Sequence, residues 1–198
     1  MIKKVIALTL ILALALFTFA ACGKKGGTTD ETTKKPGETT VGKTDASVKT
    51  GLGVILGIGS SKDAGEKDGL AQVDATIAAV TVGEDGKIVK CVIDAAQTKV
   101  NFSAEGKIIT DKAKEFQTKN ELKEAYNMKA RSGIGKEWYE QAASFAEYVV
   151  GKTLADVKGI ALKDGYASDT ELTASVTVHI TDWITALEKA INNAKDLG

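Results

Sequence analysis

Two hydrophobic periods divide this chain of 198 residues. From residue 51 to residue 109 apolar side chains recur at every second position, which is the period of a β-strand. After Thr110 they recur every three or four positions, which is the period of a helix. Strands followed by helices predict an α+β domain, in which helices pack on an antiparallel β-meander. We expect one such domain over residues 51–198.

Turn residues divide the strand region. Gly69, Gly86 and Gly106 each follow an acidic residue, and such steps between β-branched runs are typical of hairpins. The strands they delimit are expected at residues 70–82, 87–102 and 107–110. In the first strand, glycines alternate with Leu52, Val54, Leu56 and Ile58.

The glycine face of the first strand is nearly bare, so a helix or a ligand could approach the backbone closely. We expect a helix to lie there. The glycines follow the spacing G-x-G-x-x-x-G after a polar segment, which does not match a dinucleotide-binding fingerprint.

Three stretches with helical features follow the sheet region. Residues 111–128 predict one or two partly solvated helical segments, and residues 137–150 predict a helix that buries Trp138 and Phe145. Residues 168–196 predict a last helix, because Ser168 and Glu171 form a capping box. Within it, residues 173–180 could instead form a strand, since they are β-branched and alternate.

Residues capable of catalysis or metal binding are few. His179 is the only histidine, and Cys91 is the only cysteine after residue 22, so neither a transition-metal site nor a catalytic residue is expected. Cys91 should share one strand face with Val89 and Ile93, as a buried apolar side chain rather than a nucleophile. Lys and Arg together number 26 and so do Asp and Glu, which shows no basic excess of the kind that marks nucleic-acid binding.

The N-terminus carries a secretion signal. Lys3 and Lys4 precede an apolar run at residues 5–21, shorter than the roughly 20 residues of a membrane span. Cys22 follows small residues, an arrangement that resembles the lipobox of bacterial lipoproteins. The resemblance implies that residues 1–21 are a signal peptide and that Cys22 is acylated. Membrane lipid is then a partner, and the protein lies on the extracytoplasmic face of the bacterial cell membrane. The alternative is a plain transmembrane anchor.

A tether is expected at residues 22–50, because Thr, Lys and Gly dominate it and it holds few apolar side chains. Within it, residues 37–44 read GETTVGKT and match the phosphate-loop pattern. That loop needs a buried strand before it and a helix after it, and neither is predicted here. We therefore interpret the match as part of the tether.

The loop at residues 129–136 is a better candidate for binding an anion. It carries Arg131 and Lys136 with two glycines, and a helix N-terminus, which favours negative charge, follows it. Trp138 and Tyr139 come next and could stack on a planar ring. The alternative is a connector followed by core aromatic residues.

A motif near the C-terminus resembles that of extracytoplasmic FMN-binding domains. Residues 169–175 read DTELTAS against the pattern D-x-x-[ST]-G-A-[ST], and Asp169, Ala174 and Ser175 match it. Leu172 and Thr173 stand where the family has a hydroxyl residue and glycine. Residues 87–94 and the order of strands and helices are also similar, so the resemblance spans roughly residues 65–195.

This resemblance implies that FMN is the cofactor and that the protein carries electrons beside the membrane. Ser175 would be the attachment or phosphate-contact residue, and Asp169 would orient the loop. Thr173 and Trp138 would lie at the cofactor, and Arg131 with Lys136 would clamp its phosphate. A flavin transferase or a membrane redox protein would be a partner. The alternative is a non-catalytic binding lipoprotein that has lost the cofactor.

Overall fold

The computed structural model describes residues 47–195. The predicted signal peptide, Cys22 and the GETTVGKT segment lie outside the described residues. The first strand begins at Val48, three residues before the expected start of the domain at residue 51. Residues 48–50 pair with residues 81–83 of the next strand, which extends the first strand. Thr50 also exchanges backbone hydrogen bonds of 2.9 and 3.0 Å with Lys195.

The sheet confirms the predicted antiparallel meander. Its three strands are neighbours in chain order, with Gly53 opposite Ala78 and Ala78 opposite Ile93. Residues 107–110 contribute only a single bridge, between Ile108 and Phe102, rather than a full strand. The strands are β1 (Val48–Gly57), β2 (Gly69–Gly83) and β3 (Ile88–Phe102).

A β-bulge near the start of β3 corrects the predicted strand face. Val82 pairs with Ile88 while Thr81 pairs with Lys90, which leaves Val89 as the extra residue. A bulge shifts the alternation by one residue. Ile88 is therefore buried at 1% exposure and Val89 is 54% exposed, contrary to prediction. Cys91 and Ile93 are buried on one face, as expected.

Most helical elements are short, and two of the predicted helical regions contain helices close to the expected positions. The predicted helix at residues 137–150 is observed at Trp138–Tyr148, and the region at 111–128 contains a short helix at Lys119–Leu122 and a 3₁₀ turn at Lys123–Tyr126. A second 3₁₀ turn spans Lys129–Arg131. The α-helices are α1 (Lys119–Leu122), α2 (Trp138–Tyr148), α3 (Leu154–Lys158), α4 (Thr170–Thr173) and α5 (Thr181–Asn192).

The predicted last helix is two helices separated by a non-helical segment, so that prediction was wrong. Asp169, not Ser168, is the N-cap of α4, and its carboxylate accepts from the backbone N–H of Glu171 at 2.7 Å. Residues 174–180 then leave the helix, because Ile180 donates its N–H to the carbonyl of Gly165 at 2.9 Å. Only a single bridge forms there, so the strand alternative also fails.

Residues 174–180 pair with a small hairpin that was not predicted from the sequence. It joins β4 (Leu162–Lys163) to β5 (Tyr166–Ala167). Asp164 and Gly165 turn the chain with φ of 52° and 82°, in the left-handed region that an Asp-Gly step tolerates.

The core lies between the sheet and helices α2 and α5. The helix α5 packs directly on the glycine face of β1, where Gly51 and Gly53 oppose the backbone of Ala186 and Ala190. This confirms a helix as the neighbour of that bare face. Trp183 of α5 in turn packs on the aromatic rings of α2. Between residues 47 and 195, no helix is both long and apolar enough to cross a membrane.

Candidate functional site

A buried glutamine of α2 joins the two regions that the sequence marks as candidate sites. The Nε2 of Gln141 donates to the Oγ of Ser132 at 3.1 Å and to the carbonyl of Lys136 at 3.3 Å. Its Oε1 accepts from the backbone N–H of Thr177 at 2.8 Å and from its hydroxyl at 3.3 Å. Gln141 is fully buried. The loop before α2 therefore lies against the segment that follows the FMN-binding-like motif.

Sequence reasoning did not single out Gln141, although a signal was present. It lies between Trp138 and Phe145 at the spacing of buried helical positions. A polar side chain at such a position requires partners, because burying an unpaired amide is costly. Its partners, however, come from distant parts of the chain.

The two cations of the loop have different surroundings. Lys136 is half-buried, and its Nζ donates to the Oγ of Ser144 at 3.2 Å. Arg131 is exposed, and its guanidinium donates to the carbonyl of Asn127 at 3.4 Å. The structure brings Lys136, but not Arg131, into the hydrogen-bonded group around Gln141.

Carboxylates occupy the N-terminus of α2. The backbone N–H of Glu137 donates to Glu140 at 2.7 Å. The carboxylate of Glu137, 4% exposed, accepts from the backbone N–H groups of Met128 and Lys129 at 2.8 and 3.0 Å. Negative side chains stabilise a helix N-terminus. Glu137 and Glu140 therefore place negative charge at the helix N-terminus where the sequence predicted that an external anion could bind.

The motif residues form the short turn of α4 and its exit. The Oγ of Ser175 donates to the carbonyl of Leu172 at 3.2 Å, and the hydroxyl of Thr173 donates to the carbonyl of Thr170 at 3.2 Å. Ser175 is half-buried, so its oxygen keeps lone pairs available. Asp169 is the N-cap of this turn.

The charges of two acidic residues of this motif act on Tyr148, the last residue of α2. Burial, followed by the negative charges of Asp169 and Glu171, raises the pKa of the Tyr148 hydroxyl. The charge of the motif therefore reaches the C-terminal end of the helix that carries Gln141 and Ser144.

The aromatic residues after the loop are engaged in other contacts. Trp138 is 4% exposed and meets Trp183 edge-on, with ring centroids 5.4 Å apart. The hydroxyl of Tyr139 donates to Glu124 at 2.9 Å, and this hydrogen bond is the main cause that raises the pKa of the tyrosine. The geometry favours the core-aromatic interpretation over ring stacking for Trp138.

The largest cavity described, about 560 Å³, lies between β3 and α2 and is mostly apolar. Cys91 lines it, and burial raises the pKa of this thiol to about 12. A thiol with so high a pKa is a poor nucleophile, so the predicted buried role of Cys91 is confirmed. Of the six residues predicted to bind cofactor, only Trp138 lines any of the four cavities described, in one of about 230 Å³.

Metal ligands are not grouped in the part of the chain that the structure describes. There, no group of three or more His, Cys, Asp or Glu side chains could hold a metal ion.

Comparison with known proteins yields one short similarity. No protein-family model matches the chain, and no solved structure matches it. A stretch of 43 residues is 49% identical to part of a chlorophenol reductase from Desulfitobacterium hafniense. The match covers 22% of this chain and 13% of that protein, so it concerns a small part of each.

Proposed function

We propose that this protein is a lipoprotein of the extracytoplasmic face of the bacterial membrane whose α+β domain binds FMN and carries electrons. The observation that carries the proposal is the hydrogen bonding of Gln141, which holds the Ser132–Lys136 loop against Thr177, two residues after Ser175. A phosphate needs hydroxyl, ammonium or N–H donors around it. The hydroxyl of Ser132 and the ammonium of Lys136 are such donors, whereas the hydroxyl of Ser144 donates to the carbonyl of Glu140 at 2.9 Å.

The residues present fit the phosphate end of FMN in part. The half-buried hydroxyl of Ser175 has its oxygen available for attachment or contact, and the ammonium of Lys136 supplies a cation. Asp169 holds the α4 turn, which positions Ser175. Bound flavin would supply the electron transfer, while the protein binds and orients it.

The similarity to the chlorophenol reductase supports the coarser statement that this is a redox protein. It does not name an acceptor. A membrane redox protein and a flavin transferase remain proposed partners, because FMN on a tethered domain must be attached and then meet a second electron carrier.

An absorption spectrum tests the flavin proposal. The protein purified from its own host should show flavin bands, and the FMN should remain after denaturation if it is esterified to Ser175. Ser175→Ala should then lose the covalent flavin, whereas Ser47→Ala, at an exposed position before β1, should retain it. Absence of flavin bands together with absence of FMN binding by titration would refute the proposal.

A fractionation experiment tests the anchor separately. The protein should partition into membranes and shift in mass by its acyl chains. Cys22→Ala should move it to the soluble fraction or leave it uncleaved. An unmodified Cys22 in the mature protein would contradict acylation.

The second candidate is a binding lipoprotein without flavin. Two observations favour it: carboxylates occupy the N-terminus of α2, and Leu172, where the motif has a hydroxyl residue, is fully buried. A flavin-free protein that is membrane-anchored and folded would decide for this candidate.

A further inference from the structure

A second cavity, of about 330 Å³, lies beside β3 and α1. It combines cationic and aromatic side chains, and its volume is at the low end of the range for small-molecule sites. A ligand of one or two rings fits that volume. The residues used below are Gln97, Lys99, Lys114, Phe116, Lys119 and Tyr126.

Within the described part of the chain, none of the three lysines of this cavity forms an ion pair within 4.0 Å, although the charge of Lys119 contributes to lowering the pKa of the nearby Asp74. Among residues 47–195, the ion pairs with nitrogen–oxygen distances within 4.0 Å are Lys87 with Asp85 and Lys158 with Glu188. Glu115 is the one carboxylate in the cavity lining. Positive charge therefore exceeds negative charge around the cavity, and a concave surface of one sign attracts a ligand of the opposite sign.

The ammonium groups lie over aromatic rings. The Nζ of Lys114 is 5.2 Å from the ring centroid of Phe116, and the Nζ of Lys119 is 4.7 Å from that of Tyr126. These two lysines therefore hold their charge beside a ring face, within the range of a cation–π contact, and the Nζ of Lys119 is also 4.9 Å from the ring centroid of Trp138. A flat anion that enters the cavity meets a ring surface and a cation together.

Tyr126 is held in place by a polar chain. Its hydroxyl donates to the Oε1 of Gln97 at 3.4 Å, and the Nε2 of Gln97 donates to Asp74 at 2.8 Å. Asp74 and Gln97 lie on neighbouring strands, β2 and β3, so the sheet positions the ring. A ring fixed before binding loses little side-chain entropy when a ligand stacks on it.

We propose that this cavity binds a small aromatic anion, a compound of one or two rings that carries a carboxylate or a phenolate. Aromatic side chains recognise the ring, and the unpaired lysines recognise the charge. The site shares no residue with the group around Ser175 and Lys136, so it does not rest on flavin binding.

Calorimetric titration of the purified full-length protein with 2-naphthoate tests the proposal. Naphthalene-2-methanol is the neutral match, and cyclohexanecarboxylate is the anion without an aromatic ring. We expect 2-naphthoate to bind more tightly than either. Lys114→Gln should weaken binding about two- to fivefold, the effect of one partly exposed charge contact. Lys107→Gln, at an exposed turn position, should leave it unchanged.

Mapping on the unmodified protein gives an independent outcome. Amide NMR shifts on adding 2-naphthoate should concentrate at residues 114–126. Shifts at residues 143–150 instead would place the ligand in the apolar cavity and overturn the proposal. Equal binding of the neutral analogue, or unchanged affinity in both Lys114→Gln and Phe116→Leu, would overturn it as well.

Discussion

Replacing Gly53 with alanine should destabilise the domain, because α5 touches the backbone of β1 there. A Cβ at this position would overlap the carbonyl oxygen of Ala186 and come within 2.6 Å of the backbone nitrogen of Ala190. Both neighbours are backbone atoms of one helix, so no side-chain rotation relieves the overlap. The helix α5 would have to move off the strand.

The cost follows from what α5 buries. Ala186, Leu187 and Ala190 are fully buried, so a shift of the helix opens space beneath them. Overpacking a well-packed core costs about 1–3 kcal/mol, and backbone contact places Gly53→Ala near the upper end. For a domain of this size, about 3 kcal/mol lowers the melting temperature by about 6–12 °C.

Gly57→Ala is the matched control. It lies in the same strand, with no atom within 4 Å of an added Cβ. Alanine there should leave the free energy of unfolding unchanged or raise it by up to about 1 kcal/mol, because alanine lowers the conformational entropy of the unfolded chain. Urea unfolding followed by circular dichroism gives both free energies of unfolding. Equal midpoints for Gly53→Ala and Gly57→Ala would refute the packing argument.

Two further predictions concern buried polar groups. Gln141→Leu should lower the free energy of unfolding by about 1–3 kcal/mol, because the N–H of Thr177 loses its acceptor. In Gln141→Leu, amide hydrogen exchange should also become faster in the loop before α2. Gln117→Leu, at an exposed position, is the control and should change neither the free energy of unfolding nor the exchange rates. Unchanged exchange in Gln141→Leu would contradict the bridging role of Gln141. The Cys91 thiol should resist a thiol reagent at pH 8 until the protein is unfolded, because burial raises its pKa from 9.0 to about 12. Its contribution to stability is therefore complete below pH 9 and is lost as the pH rises from 9 towards 12, with a slope of at most about 1.4 kcal/mol per pH unit. Cys91→Ala should make the loss of stability over this pH range shallower by that contribution, and the raised pKa values of Tyr139 and Tyr148 account for part of the remainder. Rapid labelling of Cys91 in the folded protein would contradict its burial.

The sequence alone was sufficient for the features that depend on neighbouring residues. The alternation around Leu52 and the acidic-glycine turns at Gly86 and Gly106 predicted the meander, because strand faces and tight turns are set within a few residues. The apolar spacing from Trp138 to Val149 predicted α2 for the same reason. The bare glycines of β1 also predicted the close approach of a helix.

Contacts between distant segments were decided only by the tertiary structure. The helix predicted at residues 168–196 breaks because Ile180 bonds to Gly165, and the strand face shifts because a bulge at Val89 satisfies pairing with β2. The candidate site depends on Gln141, whose partners Ser132 and Thr177 lie nine residues before it and 36 residues after it. Residue order shows which side chains could bind an anion, but the hydrogen bonds that bring them together form only when the helix α2 is packed between its neighbours.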